Sequence, residues 1–360
     1  MNSDAIEISG NGFRYPTFVG RGLIARAGEI ARSVTDRNRC TIIADQNSAR
    51  LFGDRVQDSF SSHGFSPRLI TIPAGEKSKS LTQVEEICGE MIKASFDRGS
   101  FVVGLGGGVI GDISGFVAAI FQRGIPHIQI PTTLLAMVDS SIGGKTGVNL
   151  EAGKNLVGVI HQPALIVCDV DALESLPRQE MRQGYAEIIK HAIIGDVEMV
   201  AQLSKLRADE NASWKLAPLI RRNIAIKARI VSVDDRETSG ERTLLNFGHT
   251  VGHGIERAND FKIPHGDCVS IGMVAACAIS MKRAGLSSKE RDAVVSLLKK
   301  FELPTELPAE VDREKICAAI AHDKKFLGGR IRFVVVRRIG EAHLSSDVTM
   351  EDIREAIAAL

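Results

Sequence analysis

Residues 100–120 read SFVVGLGGGVIGDISGFVAAI: an apolar run rich in β-branched residues, a glycine cluster, then a helical pattern. We read residues 100–104 as a buried strand and residues 113–120 as the helix that follows it. Gly106, Gly108 and Gly111 have the spacing GxGxxG between the two. Glycines at such positions let backbone N–H groups approach a pyrophosphate, and the positive end of a helix favours its charge. A glycine cluster alone can equally serve as a tight turn. Its position between strand and helix is what favours a dinucleotide.

The pattern extends on both sides. Residues 39–44 (RCTIIA) form a strand signal ending in Asp45-Gln46-Asn47, and residues 68–72 (RLITI) another, followed by the polar loop PAGEKSKS. Residues 81–94 have helical periodicity with a capping-type Ser80 before them. Further on, the strand 127–130 ends at Pro131-Thr132-Thr133, and residues 164–168 give the last strand signal of this region. Strands alternating with helices predict an α/β, Rossmann-like domain with a mostly parallel sheet over residues 1–176. Asp45 suits a ribose hydroxyl, but it precedes the glycines and so breaks the usual Rossmann order. A related sheet with a different connection is expected.

After Leu176-Pro177 the pattern becomes helical, with few strands until residues 330–336, so residues 177–360 are read as an all-α domain. Within it, His249 and His253 are four apart on one helix face, and His265 follows a turn marked by Pro264. Three of nine histidines fall in this short stretch, and neutral imidazole is the commonest metal ligand. Such a set needs a further ligand. Glu187 in RQEMRQGYAEIIKHAII is the best candidate; it lies three and four residues before Lys190 and His191, which also suits an ordinary surface pair. Lys145 and Lys154 sit beside glycines in GGKTG and AGKN: either solvated loop lysines or point charges for an anion. GGKT is not a P-loop, since the first glycine of that motif is missing. Lys227 lies in the apolar run NIAIKARIVSV, where snorkelling is the ordinary reading. Residues 287–301 form an amphipathic helix with no site signal.

The net charge of +1 gives no electrostatic case for nucleic acid or an anionic membrane. No apolar run is long enough to span a membrane, and MNSDAIEISGNG lacks the basic and apolar regions of a secretory signal. Six scattered cysteines without a CxxC pair suit buried thiols in a reducing cytoplasm.

Taken in order, GEKSKS, LGGGVIGDISGF, FQRG, QIPTTLLAMVDSSIGGKTGVN, GKNLVG, YAEIIKH, LLNFGHTVGHGIE, PHGD and DKK resemble the 3-dehydroquinate synthases of the sugar-phosphate cyclase superfamily. The resemblance runs from about Tyr15 to Ile353. It implies an N-terminal Rossmann-like domain and a C-terminal helical domain with the active site in the cleft between them. By resemblance, Glu187, His249 and His265 bind zinc or cobalt. NAD is contacted by Asp45, Asn47, Glu76, Lys79, Gly107, Gly108, Val109, Asp112, Thr132, Thr133 and Ser175. The substrate is surrounded by Asp139, Lys145, Lys190, Lys227, Arg242, Asn246 and His253, with Lys154, Asn155 and one of Lys324 and Lys325. Arg123 of FQRG reaches the substrate phosphate of a neighbouring subunit, which implies a homodimer.

The implied reaction converts 3-deoxy-D-arabino-heptulosonate 7-phosphate to 3-dehydroquinate and phosphate. NAD takes hydride from C5, phosphate is eliminated, hydride returns, and an aldol step closes the ring. The residues between Lys227 and Arg242 read one longer than the family's usual turn, so a bulge is expected there and Lys227's register is less secure. The competing readings are another cyclase, making 2-deoxy-scyllo-inosose or an epi-valiolone, and a metal-dependent polyol dehydrogenase. Lys227, Arg242, Asn246 and a DKK lysine favour a substrate that carries a carboxylate.

Overall fold

The computed structural model describes residues 5–206, 213–235, 240–321, 326–327 and 330–360. They fall into two compact units, Met1–Pro177 with Ala212–Ala228, and Arg178–Asn211 with Arg229–Leu360.

Among the described residues the first unit contains nine strands: β1 Ala5–Gly10, β2 Phe13–Gly20, β3 Arg39–Asp45, β4 Ser66–Ile72, β5 Phe101–Gly106, β6 His127–Pro131, β7 Lys145–Leu150, β8 Gly153–Ile160 and β9 Leu165–Asp169. Seven form one sheet in the order β1-β2-β9-β6-β5-β3-β4, parallel except for the β1–β2 edge pair. Every residue of β5 is buried, as a central strand covered on both faces requires. The core that covers it draws Ile43, Val102, Ile113, Val117 and Ile87 from strands and helices together.

From β3 the chain winds outward to β4, while from β5 it winds the other way to β6 and β9. The direction therefore reverses between β3 and β5, which pair in parallel with Ala44 opposite Leu105. In open α/β sheets the crevice at the carboxyl ends of such strands is where ligands bind. Asp45 ends one of these strands and Gly106 the other, which is how an acidic residue that precedes the glycines in sequence comes to lie beside them.

Two local readings change. The helix after the glycines begins at Gly108, not Ile113, with Gly107 as its N-cap and the Gly111 N–H donating to the Gly107 carbonyl at 3.0 Å. Helix propensity disfavours glycine, but close packing selects it here: a Cβ on Gly108 would lie 3.1 Å from Ser140 Oγ, and one on Gly111 would lie 3.1 Å from Gln129 Oε1. The lysine-glycine region is a hairpin, β7–β8, and not a loop. Elsewhere Ser80 caps helix Leu81–Lys93 as expected, its hydroxyl accepting from Gln83 N–H at 3.2 Å.

The second unit is helical: Arg178–Gly195, Val197–Lys205, His249–Ala258, His265–Arg283, Ser288–Lys300, Arg313–Ala321 and Met350–Ala358. The strand signal near 330–336 becomes the hairpin of Phe333–Arg338 with Glu341–Ser345, and the two-residue pair Phe326–Leu327 with Arg330–Ile331. His249 and His265 are each the first residue of their helix. Gly248, at φ +77, turns the chain into the first of these, and the backbone of Gly272 presses against it. A Cβ on Gly272 would lie 2.1 Å from the Gly248 carbonyl oxygen, so only glycine lets the two helices meet this closely. Likewise a Cβ on Gly266 would lie 2.8 Å from Gln183 Cα. That contact draws helix Arg178–Gly195 against the start of helix His265–Arg283.

Candidate functional site

In the second unit these close approaches place Glu187, His249 and His265 around one point. The Nε2 atoms of both histidines lie 3.5 Å from Glu187 Oε1. His249 Nδ1 faces the Phe247 carbonyl at 3.2 Å, and His265 Nδ1 faces Glu256 Oε1 at 3.2 Å. Carbonyl and carboxylate oxygens only accept, so each Nδ1 carries a proton, which leaves Nε2 as the nitrogen each ring can offer to a cation. Glu187 is wholly buried, and neither of its oxygens has a partner in hydrogen-bond geometry, although Lys190 pairs with it as an ion. A buried carboxylate left in that state beside two imidazole nitrogens fits a divalent cation.

The electrostatics follow. Burial works to raise the Glu187 carboxyl, but Lys190, His249 and His265 hold it well below the usual carboxylate range. Burial, reinforced by Lys190, pushes His249 down to about 3. For His265 burial acts in the same direction, yet the facing carboxylates of Glu187 and Glu256 raise it to about 10, so a cation at Nε2 takes the place of a proton.

His253 packs beside this set, its ring centroid 5.2 Å from that of His249 and 6.1 Å from that of His265, with its Nε2 3.9 Å from Glu256 Oε2 and no contact to Glu187 among the ion pairs of the described residues. The ligand groupings among the described residues join His249 with His265 and His253 with His265, but never His249 with His253. Helical spacing alone would have paired the last two. Glu256, 6% exposed, faces both His253 and His265 and has no place in the sequence reading. The signal available for it was its position three after His253 and seven after His249, on the same helix face.

Arg242 and Asn246 lie on the 3-10 turn Glu241–Asn246. Asp234 accepts from the N–H groups of Gly240 and Arg242 at 2.9 and 3.1 Å, and Arg242 Nη1 donates to the Asp235 carbonyl at 2.6 Å. Within the stretch between Lys227 and Arg242, where an extra residue was expected to bulge, residues 236–239 lie outside the described residues, as do Lys324 and Lys325.

In the first unit, Lys79 is 5% exposed and its ammonium reaches both Asp112 and Asn155 Oδ1. Burial pushes the Asp112 carboxyl up, with Lys79 pulling against it. Asn149, also unassigned from sequence, ties three pieces together. It donates from Nδ2 to Glu76 at 2.7 Å and from its N–H to the Lys79 carbonyl at 2.8 Å, and its Oδ1 accepts from Asn155 N–H at 2.9 Å. Asp45 caps the turn Gln46–Ser48, accepting from Asn47 and Ser48 N–H at 2.8 and 2.9 Å; Asn47 is exposed. Thr132 N–H donates to the Gly106 carbonyl at 2.9 Å, and Thr133 Oγ1 accepts from Ala136 N–H at 3.1 Å. Gly107, Gly108 and Val109 open the helix above β5, all partly exposed.

Asp139 lies in the π-helical turn Ala136–Ser140, a kind of turn frequent at functional sites. Lys227, 5% exposed, donates to its carboxylate at 2.7 Å and its carbonyl at 2.6 Å, so it does not snorkel to solvent. Lys145 and Lys154 fall on β7 and β8, the former exposed. Ser175 is exposed and donates to the Ala172 carbonyl at 2.9 Å, away from these networks. Arg123 is exposed at the end of helix Gly108–Ile120. A cavity of about 700 Å³ lined by Arg32, Arg37, Phe101 and Pro126 opens at the amino ends of the strands and holds none of these residues.

The family model described as 3-dehydroquinate synthase N-terminal matches residues 69–183, and that described as 3-dehydroquinate synthase C-terminal matches residues 184–326. The chain belongs to the 3-dehydroquinate synthase family. A 3-dehydroquinate synthase from Symbiobacterium thermophilum is 44% identical over 354 residues, covering 96% of this chain and 98% of that protein. One from Thermodesulfovibrio yellowstonii is 40% identical, covering 95% and 96%. Among solved structures, the fold is shared with a 2-deoxy-scyllo-inosose synthase complexed with carbaglucose-6-phosphate, NAD+ and Co2+. That match has a TM-score of 0.87 at 24% identity, covering 98% of this chain and 99% of that one. A 2-epi-5-epi-valiolone synthase from Streptomyces hygroscopicus with NAD+ and Zn2+ bound has a TM-score of 0.85 at 28% identity, covering 100% and 99%. Membership of the 3-dehydroquinate synthase family thus rests on sequence over nearly the whole chain, and the related cyclases share its architecture.

Proposed function

We propose that this chain converts 3-deoxy-D-arabino-heptulosonate 7-phosphate to 3-dehydroquinate and phosphate, with NAD used and regenerated in each turnover. What carries this reading is the near-complete relationship to curated 3-dehydroquinate synthases, at 44% identity over 96% of the chain for one of them. When bound, NAD accepts and returns one hydride, and a zinc or cobalt ion held by Glu187, His249 and His265 polarises the oxygen being oxidised.

The chain's own residues bind and orient. In this reading the NAD set is Asp45, Asn47, Glu76, Lys79, Gly107, Gly108, Val109, Asp112, Thr132, Thr133 and Ser175. Its support is the position of Asp45 and the glycines where the sheet reverses direction. The substrate bears a carboxylate and a phosphate, and Lys145, Lys154, Lys190, Lys227 and Arg242 supply positive charge for them, with Asp139, Asn155, Asn246 and His253 as neutral or acidic partners. Asp139 holds the Lys227 ammonium in one place, so little order has to be gained when an anion arrives. Charge developing beside a ketone is stabilised best by groups already oriented in this way.

A homodimer follows if Arg123 serves a second copy. Gln122, Arg123 and Gly124 occupy consecutive left-handed conformations, at φ 52, 70 and 117, a strain typical of functional turns. Leu156, Val159 and Ile160 of β8 and Ile120 beside that turn are exposed apolar side chains suited to a partner surface. No helix among the described residues is long and apolar enough to cross a membrane. The six cysteines are free thiols, which suits a reducing cytoplasm.

The test is phosphate release from a panel of substrates: the heptulosonate phosphate, a heptose phosphate and glucose 6-phosphate. Turnover of the first alone is expected. Turnover only of the others would move the chain to the 2-deoxy-scyllo-inosose or epi-valiolone chemistry of the related cyclases.

A further inference from the structure

We propose that Glu256 is a positioning residue of the cation site, holding the His265 ring so that Nε2 is presented towards Glu187. This rests on reading Glu187, His249 and His265 as that site. Three observations carry it. Glu256 is 6% exposed, so its carboxylate contacts protein groups far more than water. Its Oε1 lies 3.2 Å from His265 Nδ1, on the side of the ring opposite the nitrogen that faces Glu187 at 3.5 Å. And His265 is the first residue of its helix, where no preceding helical turn packs against its ring, so an outside group has to fix the rotamer.

The two histidines are held by different devices. His249 donates to a backbone carbonyl two residues before it, a contact that its own chain provides. His265 depends on a side chain nine residues upstream, on another helix. A carboxylate accepting from one ring nitrogen also makes the other a stronger donor to a cation, and partners of this kind are worth 10- to 100-fold in metal affinity. The same carboxylate faces His253 Nε2 at 3.9 Å through its other oxygen. One residue therefore contacts both a histidine of the cation site and a histidine placed beside the substrate.

The experiment compares Glu256→Gln, which keeps an acceptor but loses the charge, with Glu256→Leu, which keeps the bulk but loses both. Zinc and cobalt dissociation constants are measured by competition with a chelator on the full chain, with His265→Ala as reference. The expected order is wild type tightest, then Glu256→Gln weaker by about 3- to 10-fold, then Glu256→Leu weaker by about 10- to 100-fold. The visible spectrum of bound Co2+ is expected to change in Glu256→Leu, and NAD affinity to stay as in wild type. Wild-type metal affinity in Glu256→Leu, with His265→Ala defective, overturns this inference and leaves the ligand set standing. Wild-type metal affinity in His265→Ala overturns both. If Glu256→Leu does not fold, wild-type affinity in Glu256→Gln overturns the inference.

Discussion

Replacing Lys190 by Met should destabilise the second unit strongly when it holds no cation, and much less when it holds one. The Lys190 and Glu187 side chains are 1% and 0% exposed and form an ion pair. Removing the ammonium takes the ion-pair partner from a wholly buried carboxylate. Breaking such a pair from one side costs about 3–5 kcal/mol. A domain of this size shifts by about 2–4 °C per kcal/mol, so the chelated variant should melt on the order of 10 °C below chelated wild type. Saturating zinc supplies the missing positive charge without the repulsion that Lys190 exerts in wild type, so the variant should gain more from the ion. Zinc stabilises both proteins, so the gap closes by about 1.4 kcal/mol for each tenfold by which the variant binds the ion more tightly than wild type. Calorimetry of both proteins, chelated and then zinc-loaded, reads this. A gap that stays the same or widens on adding zinc would refute the reasoning, since Glu187 would then not be where the ion's charge is felt.

Three further outcomes are expected. Gly272→Ala places a methyl against the Gly248 carbonyl, 2.1 Å from its oxygen, and so forces apart the helices that His249 and His265 begin. It should cost about 1–3 kcal/mol and weaken zinc binding, as read by melting and chelator competition. Lys79→Met removes the cation from partly buried Asp112 and should raise the NAD dissociation constant about 10-fold or more, with metal content unchanged by elemental analysis. Asp352 is buried, but bonds from Arg283, Thr349 and Lys282 hold its carboxyl below the usual range. A depressed carboxyl contributes stability above its unfolded value, about 3.9, and loses it as pH falls below that. Asp352→Asn should therefore lower the melting temperature at pH 7 and make progressively less difference as the pH is lowered towards 2.

The sequence was most informative where periodicity and burial agree. β3, β5 and β6 are strands buried on both faces or nearly so, β4 is a partly exposed edge strand, and each was found within a residue or two. The β7–β8 hairpin was missed because its lysines and glycines give no alternation, and much of β8 is exposed. The helix start at Gly108 was missed for a tertiary reason: contacts with Ser140 and Gln129, distant in sequence, decide that glycines belong there. At the cation site, spacing drew attention to three histidines and paired His249 with His253, whose rings do lie 5.2 Å apart, but it gave no sign that His249 and His265 are the two whose Nε2 atoms face Glu187. His249 and His265 meet because Gly272 lets two helix starts approach, and Glu187 joins them through the Gly266 contact with Gln183. No local pattern encodes those contacts. Glu256 was overlooked because a glutamate in the last turn of a helix is ordinarily a solvated surface residue, and only tertiary packing reveals its burial.

The transient use of NAD by this chain is decided by one stoichiometric measurement. The chelated protein is given zinc or cobalt, NAD at a concentration far below substrate, and the heptulosonate phosphate, and products are quantified by NMR while NADH absorbance is followed. Equal amounts of phosphate and 3-dehydroquinate, many times the NAD present and with no net NADH, are predicted. Steady accumulation of NADH, with product limited to the NAD supplied, would contradict the account and indicate an ordinary polyol dehydrogenase.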